Sequence, residues 1–127
     1  MKTGSIYKFV TAKARGHVTR EKYHIFIDKD QNGKSVFLFI NSENYFNEGF
    51  ELKKSDYSFF SNPASFIGCT STVSYTTQDI QNISEKNCVG VLKKEHIEKL
   101  ENHILNSEVL ELGEIKFICA ALRNIMK

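Results

Sequence analysis

Residues 11–24, TAKARGHVTREKYH, bring Lys13, Arg15, His17, Arg20, Lys22 and His24 into one short stretch with a glycine at its middle. Guanidinium and ammonium groups stabilise charge on a phosphoryl oxygen, and imidazole exchanges a proton near neutral pH, so these residue types suit phosphodiester chemistry. The same stretch would equally make a solvated basic turn, since polar loops commonly occur without a site. His24 differs from His17. It alternates with Tyr23 and Ile25 in an apolar run, where a histidine is more often a hydrogen-bonded structural residue than a catalyst.

Further along, Asn41 and Ser42 end an apolar run at the point where a strand would open into a loop. A hydroxyl there can reach phosphate or ribose, and Asn-Ser is also ordinary turn chemistry. Cys69, beside Thr70 and Ser71, has no neighbouring base in sequence and reads as a packing residue rather than a nucleophile. His96 and His103 fall nearly in phase on one helical stretch without a third ligand, so they read as part of its polar face and no metal site is expected. Tyr45, Phe46, Tyr57, Phe59 and Phe60 lie between the apolar runs and offer either stacking surfaces or core, with Phe59 and Phe60 expected to be buried.

The elements that must position these groups follow from periodicity. IYKFV (6–10) alternates, with Tyr7 and Phe9 on one side and Ile6, Lys8 and Val10 on the other. YHIFID (23–28) and SVFLFIN (35–41) are β-branched and aromatic around Asn32-Gly33, a strong hairpin signal. Both are apolar at nearly every position and so need cover on two faces. FELKK (50–54), FIGCTSTVSY (66–75, with Gly68 as a bend or bulge) and CVGVL (88–92) read as further strands. TTQDIQNISEKN reads as loop or a short helical turn. The period then changes to helical in KEHIEKLENHILNS and LGEIKFICAALRNIMK. Strands first and helices last predict an α+β fold, a small, mostly antiparallel, half-open barrel with two C-terminal helices. At 127 residues this is one domain, 1–127, with the barrel over about 5–92 and the helical part over about 93–127.

Charge is distributed unevenly. The net charge is only +2, yet the chain through Lys22 carries Lys2, Lys8, Lys13, Arg15, Arg20 and Lys22 against Glu21 alone. Residues 23–92 are net acidic, so any footprint for a polyanion belongs near the first loop. No apolar run approaches the roughly 20 residues of a membrane span, and no signal-peptide core is present, which predicts a cytoplasmic protein with no membrane partner. Three cysteines without a CxxC suit neither a disulfide framework nor a zinc knuckle. The Rossmann, P-loop and HExxH motifs are absent, and no cofactor is expected.

GSIYKFV, a polar loop, KYHIFIDKD, a turn and SVFLFINSEN together resemble the PemK/MazF-like toxin group, whose barrel is SH3-like. DYSFFSNPASFIGCTSTV and CVGVLKKEHIEKLENHILNS look like a divergent, often mobile-element-linked branch. The resemblance implies a metal-independent endoribonuclease that cuts single-stranded RNA by attack of a 2′-hydroxyl on the adjacent phosphate. It further implies a homodimer silenced by an antitoxin protein. Lys22 stands where the family has a catalytic Arg, Lys22-Tyr23 replaces its Arg-Pro pair, and Ser42 replaces a Thr. Lysine for arginine loses the bidentate fork, leaving Arg20, Arg15 or His17 to add charge. The catalytic set so implied is Lys22, Arg20, His17 and Ser42, with His17 or His24 moving a proton. Lys13, Arg15, His24 and Asn41 are the further RNA contacts. The alternative is a non-catalytic SH3-like module that binds protein or nucleic acid.

Overall fold

The computed structural model describes residues 1–14, 16 and 18–127. Its strands are β1 (Ser5–Thr11), β2 (Arg20–Lys29), β3 (Ser35–Asn41), β4 (Phe50–Lys53), β5 (Ala64–Ile67), β6 (Val73–Tyr75) and β7 (Cys88–Val91), followed by α1 (Lys94–Leu105) and α2 (Leu112–Ile125). The strands pair antiparallel in the order β4-β5-β3-β2-β1-β7, with β6 also on β3. The protein is thus α+β, an antiparallel sheet curled into a half-barrel with two C-terminal helices, consistent with a small SH3-like barrel.

The β2–β3 hairpin is its spine. Gly33 takes φ +79° and donates its N–H to the Asp30 carbonyl, while the Asp30 carboxylate accepts from the N–H groups of Asn32 and Lys34. Only glycine adopts that φ without strain, which is why Asn-Gly marks the turn. A register shift between Phe26 and Asp28 then brings Tyr23 opposite Ile40 and His24 opposite Phe39.

Alternation along these strands builds two cores. Ile6, Ile25, Ile27, Leu38 and Ile40 face the helices and pack with Ile97, Leu100, Ile104, Ile118 and Leu122. Each such side chain, once buried, contributes on the order of 1.5–3 kcal/mol. Tyr7, Phe9, Phe26 and Phe37 face the other way and pack with Val73 and Tyr75. Ile80 and Ile83 of the 76–87 connection cover that second core, and the Tyr7 hydroxyl donates to the Glu85 carboxylate at 3.0 Å. A 3-10 turn at Glu85–Asn87 ends this connection.

Two expected elements differ. The run 66–75 is not one strand: β5 pairs with the C-terminal end of β3, β6 with its N-terminal end, and residues 69–72 bow out between them, after Gly68 has made a last backbone hydrogen bond to Phe39. The bow is held by Glu114, whose carboxylate accepts from both the N–H and the hydroxyl of Thr72 while capping the first turn of α2. His96 and His103 are not merely a polar helix face either. His96 Nδ1 lies 2.6 Å from the Tyr57 hydroxyl, and His103 Nε2 donates to the Glu48 carbonyl at 2.8 Å, because α1 lies against the connections around β4 and their polar groups need partners.

Candidate nucleic-acid interface

The second face has an open end beyond its aromatic core. There Lys22 and Asn41 lie side by side on β2 and β3, and Lys22 Nζ donates to Asn41 Oδ1 at 2.6 Å. The ammonium also sits 5.5 Å from the centre of the Phe39 ring. Burial, and then the nearby Arg20 guanidinium, push the Lys22 pKa below its usual value. A cation held partly out of water in this way interacts more strongly with an anion than one on a flexible surface arm. Gly68 lets β5 come this close: it donates its N–H to the Phe39 carbonyl at 2.7 Å, and a side chain at position 68 would press on Asn41 Nδ2 at 3.0 Å.

Beside this pair is a cleft of about 220 Å³. Phe39, Phe66 and Tyr45 form its aromatic walls, while Asn41, Glu43, Thr70 and Ser71 supply polar edges. Its two rims are braced from below. His103 holds the β3–β4 connection at Glu48, and Glu114 holds the β5–β6 connection at Thr72. Gly49 sets the first rim against the floor, since a Cβ there would come 2.8 Å from both Asn44 Oδ1 and Phe66 Cβ.

His24 lies behind Lys22 and is fully buried, stacked on Phe9 with ring centroids 3.8 Å apart. Its proton can be placed from its partners. Nδ1 faces the Lys22 carbonyl at 3.0 Å, which only accepts, so Nδ1 carries the hydrogen and Nε2 accepts from the Tyr75 hydroxyl at 2.9 Å. Tyr75 in turn accepts from the Thr11 hydroxyl at 2.7 Å, and Thr11 Oγ1 accepts from the Lys13 N–H at 3.0 Å. Every donor in this chain has a defined direction. Burial pushes the His24 pKa down to about 3, so the ring is neutral at physiological pH. It holds the backbone that carries Lys22 and has no exposed surface of its own.

Of the residues singled out in sequence, the structure brings Lys22, Asn41 and Arg20 to one end of the second face. Ser42 is exposed just after β3, and it is the neighbouring Asn41 whose side chain meets Lys22. Lys13 is held further along the sheet, donating to the Ser74 carbonyl at 2.6 Å with its ammonium over the Tyr75 ring. Arg15 and His17 lie outside the described residues. Cys69 is buried and its thiol is pushed up to about 12, which leaves it a packing residue as expected. Of the aromatics, Tyr57 and Phe60 are core, Phe59 is only half-buried, Tyr45 lines the cleft and Phe46 is exposed. Among the described residues no group of three or more His, Cys, Asp or Glu is arranged to hold a metal ion, and no helix is long and apolar enough to cross a membrane.

Sequence reasoning missed Phe39, Phe66, Glu43, Tyr75 and the two braces. Pairing register holds the first signal: Phe39 and Asn41 share a face two residues apart, and Asn41 pairs with Phe66. The brace at Glu114 was visible as an acidic residue at the third position of a helix, the second half of a capping box. No protein-family model matches the chain, and no match to a curated protein was found.

Proposed function

We propose that this protein acts on single-stranded RNA, held across the open end of its second face with one phosphate at Lys22. The observation that carries the reading is the Lys22–Asn41 pair set beside aromatic walls, a cation for the backbone next to surfaces for unpaired bases. Following the PemK/MazF-like resemblance, the reaction is cleavage through the 2′-hydroxyl. That oxygen attacks phosphorus, a 2′,3′-cyclic phosphate forms, and the departing 5′-oxygen takes up a proton as the 2′-hydroxyl loses one. Lys22 and Arg20 stabilise the phosphoryl charge, Ser42 lies at the loop beside it, and His17 is the proton carrier assigned from sequence. An antitoxin protein and a homodimer complete the proposal as partners.

A second reading is favoured by His24. The imidazole nearest Lys22 in the chain is locked in a buried hydrogen-bond chain, which suits a module that binds RNA without cutting it. Labelled single-stranded RNA incubated in EDTA separates the two. Cleavage to 2′,3′-cyclic phosphate ends, lost in Lys22→Ala and Arg20→Ala, is the result expected of the nuclease. Intact but bound RNA would leave the binding module, and absence of both binding and cleavage would reject the proposal.

A further inference from the structure

We propose that the cleft beside Lys22 is a subsite for a single unpaired guanine base; the inference rests on the RNA reading above. At about 220 Å³ the cleft lies below the roughly 300–1,000 Å³ of sites for drug-sized ligands, which suits one planar ring system rather than a whole nucleotide. Phe39, Phe66 and Tyr45 present aromatic surface for stacking, worth about tenfold or more in affinity per base.

The polar rim selects among bases. Among the described residues Glu43 is the one charged side chain lining the cleft, and an ionised carboxylate only accepts hydrogen bonds. Guanine alone offers two adjacent donors on its Watson–Crick edge, N1–H and the N2 amino group, which one carboxylate can take together. Adenine and cytosine set a ring nitrogen acceptor beside their amino group, and uracil flanks its single N–H with two carbonyls, so each would place an acceptor against the Glu43 oxygens. Asn41, also on the lining, has its oxygen committed to Lys22, which leaves its amide N–H group as one kind of donor at the cleft, with the Thr70 and Ser71 hydroxyls as a second. Both suit the O6 and N7 acceptors of guanine. The adjacent Lys22 ammonium keeps further N–H donors for the phosphate of the same nucleotide. The braced rims make the cleft preformed, so little ordering is required on binding.

The test uses 2′-O-methyl dodecamers, which cannot undergo 2′-hydroxyl attack: an all-uridine strand, and the same strand with one central G, A or C. Fluorescence anisotropy with the full chain is expected to show binding of the uridine strand and a gain of about tenfold for the G strand alone. Glu43→Gln is expected to abolish that gain, while Glu51→Gln, on β4 outside the cleft, retains it. Binding of all four strands with equal affinity would overturn the guanine subsite and leave the RNA reading standing. A gain that survives in Glu43→Gln would overturn it too. Failure of every strand to bind would overturn the RNA reading and this inference with it.

Discussion

The two faces of the sheet are made from alternate residues of the same strands but are closed in different ways. One is sealed by α1 and α2 over aliphatic side chains, many of them wholly excluded from solvent. The other is aromatic, carries a buried histidine in a directional hydrogen-bond chain, and is covered over only part of its length by the 76–87 connection. Its uncovered end is where Lys22, Asn41, Phe39 and Phe66 sit. The helix side is thus an aliphatic core, and the aromatic side combines a core with a buried hydrogen-bond chain behind Lys22. The helices still serve that surface, through His103 and Glu114, by holding the loops on either side of the cleft.

Substitutions on the two faces should therefore separate stability from binding. Leu100→Ala, on the helix side, removes a fully buried side chain and is expected to cost about 2–5 kcal/mol of unfolding free energy in a denaturant titration. The RNA affinity of the protein that remains folded should be unchanged, and a parallel loss of affinity would break the separation.

A pH effect belongs to the aromatic side. The folded-state pKa of His24 is depressed from 6.5 to about 3, so between those values the unfolded chain binds the extra proton and stability rises with pH. As pH falls below 6.5 toward 3, His24 is expected to cost about 1.4 kcal/mol per pH unit, and above 6.5 it contributes no slope. Unfolding curves of the protein and His24→Phe at pH 7, 6, 5 and 4 isolate this component. Parallel slopes for the two would contradict the neutral, buried assignment.

Smaller effects are expected at the open end. Phe66→Ala is expected to lower RNA affinity by about 1–3 kcal/mol, as for loss of one stacking surface. Lys22→Ala is expected to weaken RNA binding about tenfold and to reduce the slope of log affinity against log salt by about 0.7, the signature of one lost phosphate contact on a single strand. An unchanged salt slope would remove Lys22 from the phosphate. The smallest effect is expected at the solvated Lys8–Glu21 ion pair across β1 and β2, where Glu21→Ala should shift neither the unfolding midpoint nor RNA binding measurably.

Much of this architecture was legible in the chain because the signals are local. Asn32-Gly33 announces the central hairpin, apolar residues on both sides of 23–28 and 35–41 announce two cores, and the change of period near residue 93 announces the helices. What was not legible depends on distant pairings. Counting outward from Asn32-Gly33 would set Lys22 opposite Glu43, but the wider turn held by Asp30 and the register shift after Phe26 place it beside Asn41 instead. The split of 66–75 into two strands is likewise set from outside, by Glu114 on α2 taking the N–H of Thr72 away from the sheet. His24 was open to two readings in sequence, and its burial against partners on β1 and β6 could not be read from the chain alone.

The most direct measurement is a titration of the isotope-labelled protein with an unstructured 2′-O-methyl uridine dodecamer, followed by amide chemical shifts. The largest changes are expected at Lys22, Phe39, Asn41, Phe66 and Gly68, with the outer surfaces of α1 and α2 silent. Changes centred on the helices, or none anywhere at saturating oligonucleotide, would contradict the assignment of the second face as the RNA-binding surface.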